Sequence, residues 1–294
     1  MSDLAPNERG RPVWSVFKAA LEAQGFRPSR RLGQNFLLDE NMVRAIVRDS
    51  GISAADRVLE IGSGCGFLTL HLLRAGAALV AVEIDPRLAE ITRTLLAGEG
   101  ELLLIETDVL ASKHALAPQV IAALPASGPW HMVANLPYSV SGPVLACAAE
   151  LLNPPQSMTV LVQREVAQRI AARPATDAWG PLSIRLQLDY EPEITREVAP
   201  GLFWPRPQVA SSVVRLVRRR ETWPRAEREA LSRLVDDLFQ HRRQTLGRVL
   251  KDLLGTRAAA DAWLGAAGFS GTERAEDLAL SDLARISSCD PRSR

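Results

Sequence analysis

Five short apolar runs recur through the middle of the chain: Val58–Ile61, Leu79–Val82, Leu102–Ile105, Met132–Ala134 and Met158–Val162. Near-continuous apolar runs of this length are the pattern of strands buried on both faces. Between them lie stretches with helical spacing, at Leu68–Ala75, Pro86–Leu96, Gln119–Leu124 and Pro143–Leu151. Strand and helix in alternation predict a doubly wound α/β sheet with right-handed crossovers. Upstream, Trp14–Gln24 predicts a helix followed by a Gly/Pro/Arg-rich link, and Met42, Val43, Ile46 and Val47 mark a second helix over Asn41–Ser50.

Downstream, helical stretches at Glu165–Ala172 and Leu182–Leu188 precede two β-like runs, Ile194–Val198 and Ser212–Val217. The segment Phe203-Trp204-Pro205-Arg206-Pro207 joins those runs, and its proline spacing predicts an extended, rigid loop. The two runs are expected to complete the sheet as an antiparallel hairpin at one edge. From Pro224 onward the pattern is helical only. Leu231, Leu234, Val235, Leu238 and Phe239 form one stripe, followed by Thr245–Leu254, Ala258–Ala266 and Leu280–Ile286. The expected organisation is an N-terminal arm over residues 1–30, an α/β domain over 31–220 and a small all-α domain over 221–294.

Composition agrees with a globular protein: of 294 residues, 47% are hydrophobic and 23% charged, enough for one large and one small domain. No apolar run approaches the ~20 residues of a membrane span, and the first residues carry no signal core, so a cytoplasmic protein is expected. Cys65, Cys147 and Cys289 are too dispersed for a zinc pattern and read as packed thiols, with no metal expected. The net charge of +1 conceals a gradient. Residues 49–110 hold ten acidic and four basic side chains, whereas residues 215–257 hold twelve basic and six acidic ones. Basic ends suit a polyanionic partner, although solvated helix faces give the same count.

The strongest local chemistry is Glu60-Ile61-Gly62-Ser63-Gly64-Cys65-Gly66, which follows the first predicted sheet strand and opens a helix. Glycines there allow a tight turn and a close approach of backbone to ligand. The turn alone also fits a dinucleotide, but its spacing departs from G-x-G-x-x-G, which weakens an oxidoreductase reading. The next two strands end in Glu83 and Asp108. In a doubly wound sheet these strand ends converge on one crevice. A carboxylate at Glu83 suits a ribose diol, and Asp108 can accept from an adenine amino group. An adenosine-type cofactor without pyrophosphate follows, which points to S-adenosylmethionine.

The fourth strand ends in Asn135-Leu136-Pro137-Tyr138. An exocyclic amino nitrogen is a poor nucleophile because its lone pair is delocalised into the ring. Two acceptors, the Asn135 side-chain oxygen and the Pro137 carbonyl, are expected to hold the amino hydrogens and aim the nitrogen at a methyl group. Tyr138 is expected to stack on a flipped-out base.

These motifs, together with Arg31-Leu32-Gly33-Gln34-Asn35-Phe36-Leu37, Phe203-x-Pro-x-Pro-x-Val-x-Ser-x-Val214, Gln163-Arg164-Glu165-Val166 and His241-Arg242-Arg243-Gln244-Thr245-Leu246, resemble the ribosomal RNA adenine N6,N6-dimethyltransferases over roughly residues 27–290. The bacterial small-subunit type is the nearest resemblance. It implies a seven-strand class I methyltransferase sheet, Rossmann-like, with a helical rRNA-binding domain. It also implies dimethylation of two adjacent adenosines near the 3′ end of 16S rRNA in an immature small subunit; the oligomeric state is open, with a monomer the default expectation. By position, Gln34, Asn35 and Leu37 would touch S-adenosylmethionine alongside Gly62, Gly64, Glu83 and Asp108. Asn135 would serve both cofactor and target amine, and Phe203 would sandwich the base opposite Tyr138, with the neighbouring Trp204 a competitor for that position. Arg30, Arg31, Arg218, Arg219, Arg220, Arg242, Arg243 and Arg248 would meet phosphates. Rival readings are a 23S rRNA methyltransferase and a non-catalytic assembly or transcription factor on the same scaffold.

Overall fold

The computed structural model describes residues 14–29 and 31–293, so the first thirteen residues of the expected arm and Arg30 lie outside it. In chain order the elements are α1 (Trp14–Ala23), β1 (Phe36–Leu37), α2 (Glu40–Ser50), β2 (Arg57–Ile61), α3 (Phe67–Arg74), β3 (Ala78–Glu83), α4 (Pro86–Leu95) and β4 (Leu102–Glu106). A short pair, β5 (Leu110–Ser112) and β6 (Ala115–Leu116), leads to α5 (Pro118–Ala123), β7 (His131–Asn135), α6 (Ser141–Ala149) and β8 (Ser157–Gln163). Then come α7 (Arg164–Ile170), α8 (Pro181–Gln187), β9 (Tyr190–Val198), β10 (Phe203–Trp204) and β11 (Ser211–Arg218). The chain ends in α9 (Arg225–Phe239), α10 (Leu246–Leu254), α11 (Arg257–Ala267) and α12 (Leu280–Ser288).

Seven strands form one sheet in the order β4-β3-β2-β7-β8-β11-β9. The five predicted apolar runs are its parallel strands, and β11 runs antiparallel to β8. The chain first builds outward from β2 through β3 to β4, then returns to the other side of β2 with β7. That reversal opens a crevice at the carboxyl ends of β2 and β7. Burial explains the strands: Val58, Leu59, Ile61, Met132, Val133 and Ala134 are all at most 2% exposed. The helices carry ordinary end signals. Asp39 caps α2 by accepting from the Met42 amide, Gly51 ends it at φ +70°, and Asp85 caps α4 ahead of Pro86.

The expected boundary at residue 221 is displaced. Two compact units divide the chain, one of residues up to 167 plus 192–218, the other of 168–191 plus 219–294. The segment around α8 therefore belongs with the C-terminal helices. Its Trp179, Ile184 and Leu188 share one apolar cluster with Leu231, Leu234, Val235 and Leu238 of α9. A linear reading assigned α8 to the sheet domain because it lies between two strands in sequence. The helix expected at Trp14–Gln24 is α1, which belongs to the core of the first unit, with Phe17 fully buried and its ring 5.4 Å from Phe67.

Within the second unit, Asp189 is buried and accepts from the Arg228 guanidinium and the Trp223 amide. Removing one side of a buried ion pair strands the other charge. Asp189→Ala is therefore expected to destabilise this unit by about 3 kcal/mol, read by urea denaturation. A loss below about 0.5 kcal/mol would place the pair among solvated surface bridges.

Candidate functional site

The crevice is a cavity of about 240 Å³ whose wall includes the Gly62–Cys65 turn, Glu60, Glu83, Asp108, residues 31–37 and Asn135–Val140. Gly62 sits at φ +71° and Gly64 at φ +60°. A Cβ on Gly62 would lie 3.1 Å from the ring of Pro137, and one on Gly64 would lie 3.1 Å from the ring of Phe36. The turn is thus in contact with the tetrapeptide on one side and with β1 on the other, and a side chain at either glycine would be strained by its positive φ and press on that neighbour.

Glu83 is 5% exposed, and its carboxylate is held by three backbone amides. Gly64 donates to Oε2 at 2.7 Å, while Ile84 and Asp85 donate to Oε1 at 3.0 and 2.9 Å. Burial raises its pKa and these amides lower it, with burial the larger effect. Three of about four acceptor positions are taken, which leaves Oε2 room for one further hydroxyl where sequence reading had provided for two. Asp108 is exposed and lines the cavity; its Oδ1 accepts from the Leu110 amide at 2.9 Å, which leaves Oδ2 as a further acceptor.

Asn135 ends β7, and its side-chain orientation follows from one bond: Nδ2 donates to the carbonyl of Asn35 at 3.0 Å. Oδ1 is consequently left as an acceptor. The backbone acceptor differs from expectation. The Pro137 carbonyl already accepts from Val140 N at 3.1 Å, whereas the Leu136 carbonyl accepts no bond among the described residues. Leu136 N donates to Leu161 O, which ties the residue to the neighbouring strand. The Tyr138 hydroxyl bonds to Ser211 Oγ at 2.6 Å, and burial raises its pKa, so the phenol stays neutral at physiological pH.

Phe203 lies apart from the other expected site residues. It is 4% exposed, packs in the apolar core, and is absent from the cavity wall. β10 pairs antiparallel with β1, Leu37 opposite Phe203 and Phe36 opposite Trp204, and neighbours on a strand face opposite ways. Trp204 is 39% exposed and stacks on Phe36, ring centroids 5.8 Å apart. Gln34 and Asn35 line the cavity, but the Gln34 amide is occupied at both ends: Ser29 N donates to it at 2.6 Å, and its Nε2 donates to Asp85 Oδ2 at 3.2 Å. Leu37 is a buried wall residue. Sequence reading missed Asp85 and Ser211. Asp-Pro marked a helix start, yet nothing local connects Asp85 to Gln34, or Ser211 to Tyr138.

The charge of the wall bears on the ligand. Glu60, Glu83 and Asp108 face the cavity and Arg31 is the one Arg or Lys among its described residues. A pyrophosphate would meet carboxylates here, whereas a cationic adenosine derivative meets complementary charge. The chain's donors and acceptors therefore fit S-adenosylmethionine better than a dinucleotide. No group of three or more metal-ligating side chains gathers among the described residues, and no described helix is long and apolar enough to cross a membrane.

Comparison with known proteins places this geometry. The family model described as ribosomal RNA adenine dimethylase matches residues 25–287. A protein of Leifsonia xyli named ribosomal RNA small subunit methyltransferase A is 43% identical, covering 90% of this chain and 93% of its own. One of the same name from Magnetococcus marinus is 39% identical, covering 92% and 94%. Among solved structures, the 23S rRNA methyltransferase ErmE is similar at 25% identity and TM-score 0.64, covering 86% of this chain and 98% of its own. A dimethyladenosine transferase from Plasmodium falciparum matches in fold at 20% identity and TM-score 0.69, covering 84% and 94%.

Gly62→Ala tests the cradle. Strain at φ +71° and contact with Pro137 are expected to weaken S-adenosylmethionine binding at least about tenfold, or ~1.4 kcal/mol, by calorimetry. Unchanged affinity would show that the turn does not shape the cofactor site.

Proposed function

The chain belongs to the ribosomal RNA adenine dimethylase family, and on that footing we propose that it methylates N6 of two adjacent adenosines near the 3′ end of 16S rRNA, within an immature small subunit. The observation that carries the assignment of roles is the Asn135 Nδ2 bond to the Asn35 carbonyl, because it leaves Oδ1, on a residue of the cavity wall, as the acceptor. S-adenosylmethionine, when bound, supplies an electrophilic methyl carbon on its sulfonium. Everything else is positioning by the chain. Asn135 Oδ1 and the Leu136 carbonyl accept the two amino hydrogens and draw the nitrogen lone pair out of conjugation. Tyr138, tethered through Ser211, offers a ring face to a base turned out of its stack. No strong base is required, because the methylated nitrogen becomes acidic and loses its proton to water.

Glu83 supplies one acceptor to the ribose and Asp108 Oδ2 one to the adenine amino group. In the helical unit, Arg243 and Arg220 are exposed without an ion-pair partner among the described residues, while Arg219, Arg242 and Arg248 are paired with Glu191, Glu276 and Asp252. Free arginines are immediate phosphate contacts, and paired ones must exchange a carboxylate for a phosphate; such binding weakens as salt rises. The relatives' small-subunit names, at 39–43% identity, favour 16S over the 23S substrate named for ErmE at 25%. The wall residues of the methyl-transfer site are intact, which disfavours a non-catalytic assembly or transcription factor.

Purified protein incubated with labelled S-adenosylmethionine and unmethylated small subunits is expected to yield N6,N6-dimethyladenosine at two adjacent positions of 16S rRNA. Incorporation into 23S rRNA instead would overturn the substrate. Asn135→Ala is expected to slow transfer about 100-fold or more while cofactor affinity changes less than about tenfold. Equal loss of both would refute this division of roles.

A further inference from the structure

Glu60 is the one carboxyl of the cavity wall that the roles above do not use. It lies in β2 two residues before Gly62, is 1% exposed, and its Oε2 has no hydrogen-bond partner. Two hydroxyls close to it in the chain are also unsatisfied: Ser63 Oγ, in the cavity wall, and Thr69 Oγ1, in α3. The contrast with Glu83 is instructive. Both carboxyls are buried in the same wall, but Glu83 is stabilised as an anion by three backbone amides and Glu60 by none. A buried carboxylate without donors or a cation loses its proton only at a large cost.

The groups around it offer no internal compensation. Among the described wall residues the other titratable groups are Arg31, Cys65, Glu83, Asp108 and Tyr138. Glu83, on the adjacent strand, opposes ionisation of Glu60, and Cys65 is a thiol pushed up to about 12 by burial. His71, on α3, is pushed down to about 4 by burial and is neutral at pH 7. The Thr69 hydroxyl lies near enough to ease ionisation slightly, without forming a hydrogen bond of ordinary geometry. Burial dominates, and the carboxyl is raised to about 8. A positive charge must come from the ligand.

We infer that Glu60 is a positioning residue that reads the charge of the cofactor: its carboxyl is neutral beside solvent or the uncharged thioether product, and ionises beside the sulfonium. This deepens the cofactor reading of the cavity and rests on it. On binding, the Glu60 O–H bond breaks and the proton passes to buffer; nothing is oxidised or reduced. After methyl transfer the sulfonium charge is gone, the carboxylate is again unpaired, and it takes a proton back. The site then holds the product less tightly than the substrate, which favours turnover. The pH dependence falls on cofactor affinity. Below pH 8 each bound sulfonium must displace a proton, so affinity rises with pH and levels off above about 8.

Calorimetry of the full-length protein at pH 7, in buffers of different ionisation enthalpy, counts those protons. S-adenosylmethionine is expected to release close to one proton more than S-adenosylhomocysteine. The sulfonium makes the cofactor's α-amino group more acidic than the thioether's, but at pH 7 that difference amounts to only a small fraction of a proton, well short of the one expected from Glu60. The dissociation constant for S-adenosylmethionine is expected to fall about tenfold between pH 6 and pH 7. Glu60→Gln should abolish the difference in protons and flatten that profile. Equal proton release by the two ligands, or a difference that persists in Glu60→Gln, would overturn the proposal. If the variant does not fold, the two-ligand comparison on the unaltered protein decides alone. Absence of binding by either ligand would instead refute the cofactor reading and take this inference with it.

Discussion

Gly62 and the ring of Pro137 lie so close that a single added carbon would sit 3.1 Å from the proline, and the site depends on that contact. It exists because the sheet reverses direction between β2 and β7, which makes the first strand of one half the immediate neighbour of the first strand of the other. The glycine turn proposed to cradle the cofactor and the tetrapeptide proposed to hold the target amine thereby share one wall. Methyl transfer needs the two reactants held in line at contact distance, and the topology supplies that proximity before any ligand arrives.

A second tie turns proximity into orientation. Asn135 can act on an amine only with its oxygen presented, and the Asn35 carbonyl decides this by occupying the amide nitrogen. Asn35 belongs to the segment before α2, which is held in place by Gln34 between Ser29 and Asp85 and by the pairing of β1 with β10. The N-terminal segment is therefore part of the machinery that sets the acceptor, in addition to closing the cavity.

The electrostatics divide the labour among carboxyls of one wall. Glu83 receives three amides and remains available as an acceptor, Asp108 stays in contact with solvent, and Glu60 has neither. Tyr138 and the amide of Asn135 carry no charge near neutrality, so the groups proposed to hold the target amine do not titrate there. On the proposed roles, pH sensitivity falls on cofactor binding and not on the transfer step.

The apolar runs alone specified the five parallel strands, because strands buried on both faces leave an unambiguous signature, and the residues at their ends specified the chemistry of the crevice. Gly62, Glu83, Asp108 and Asn135 were legible because each directly follows or ends a strand. What stayed hidden concerns partners distant in sequence. The hydrogen bonds of Asp85 to Gln34 and of Ser211 to Tyr138 span 51 and 73 residues, and no local pattern encodes them. The membership of α8 in the helical unit is set by Trp179 and Ile184 finding the α9 stripe. The surroundings of Phe203 were not legible either: its motif says aromatic, while only the pairing of β10 with β1 places that ring in the apolar core. Sequence determined which groups are present and which elements carry them, since both follow from local composition and periodicity. Tertiary structure decided which acceptors remain free, because that depends on hydrogen bonds made elsewhere in the chain.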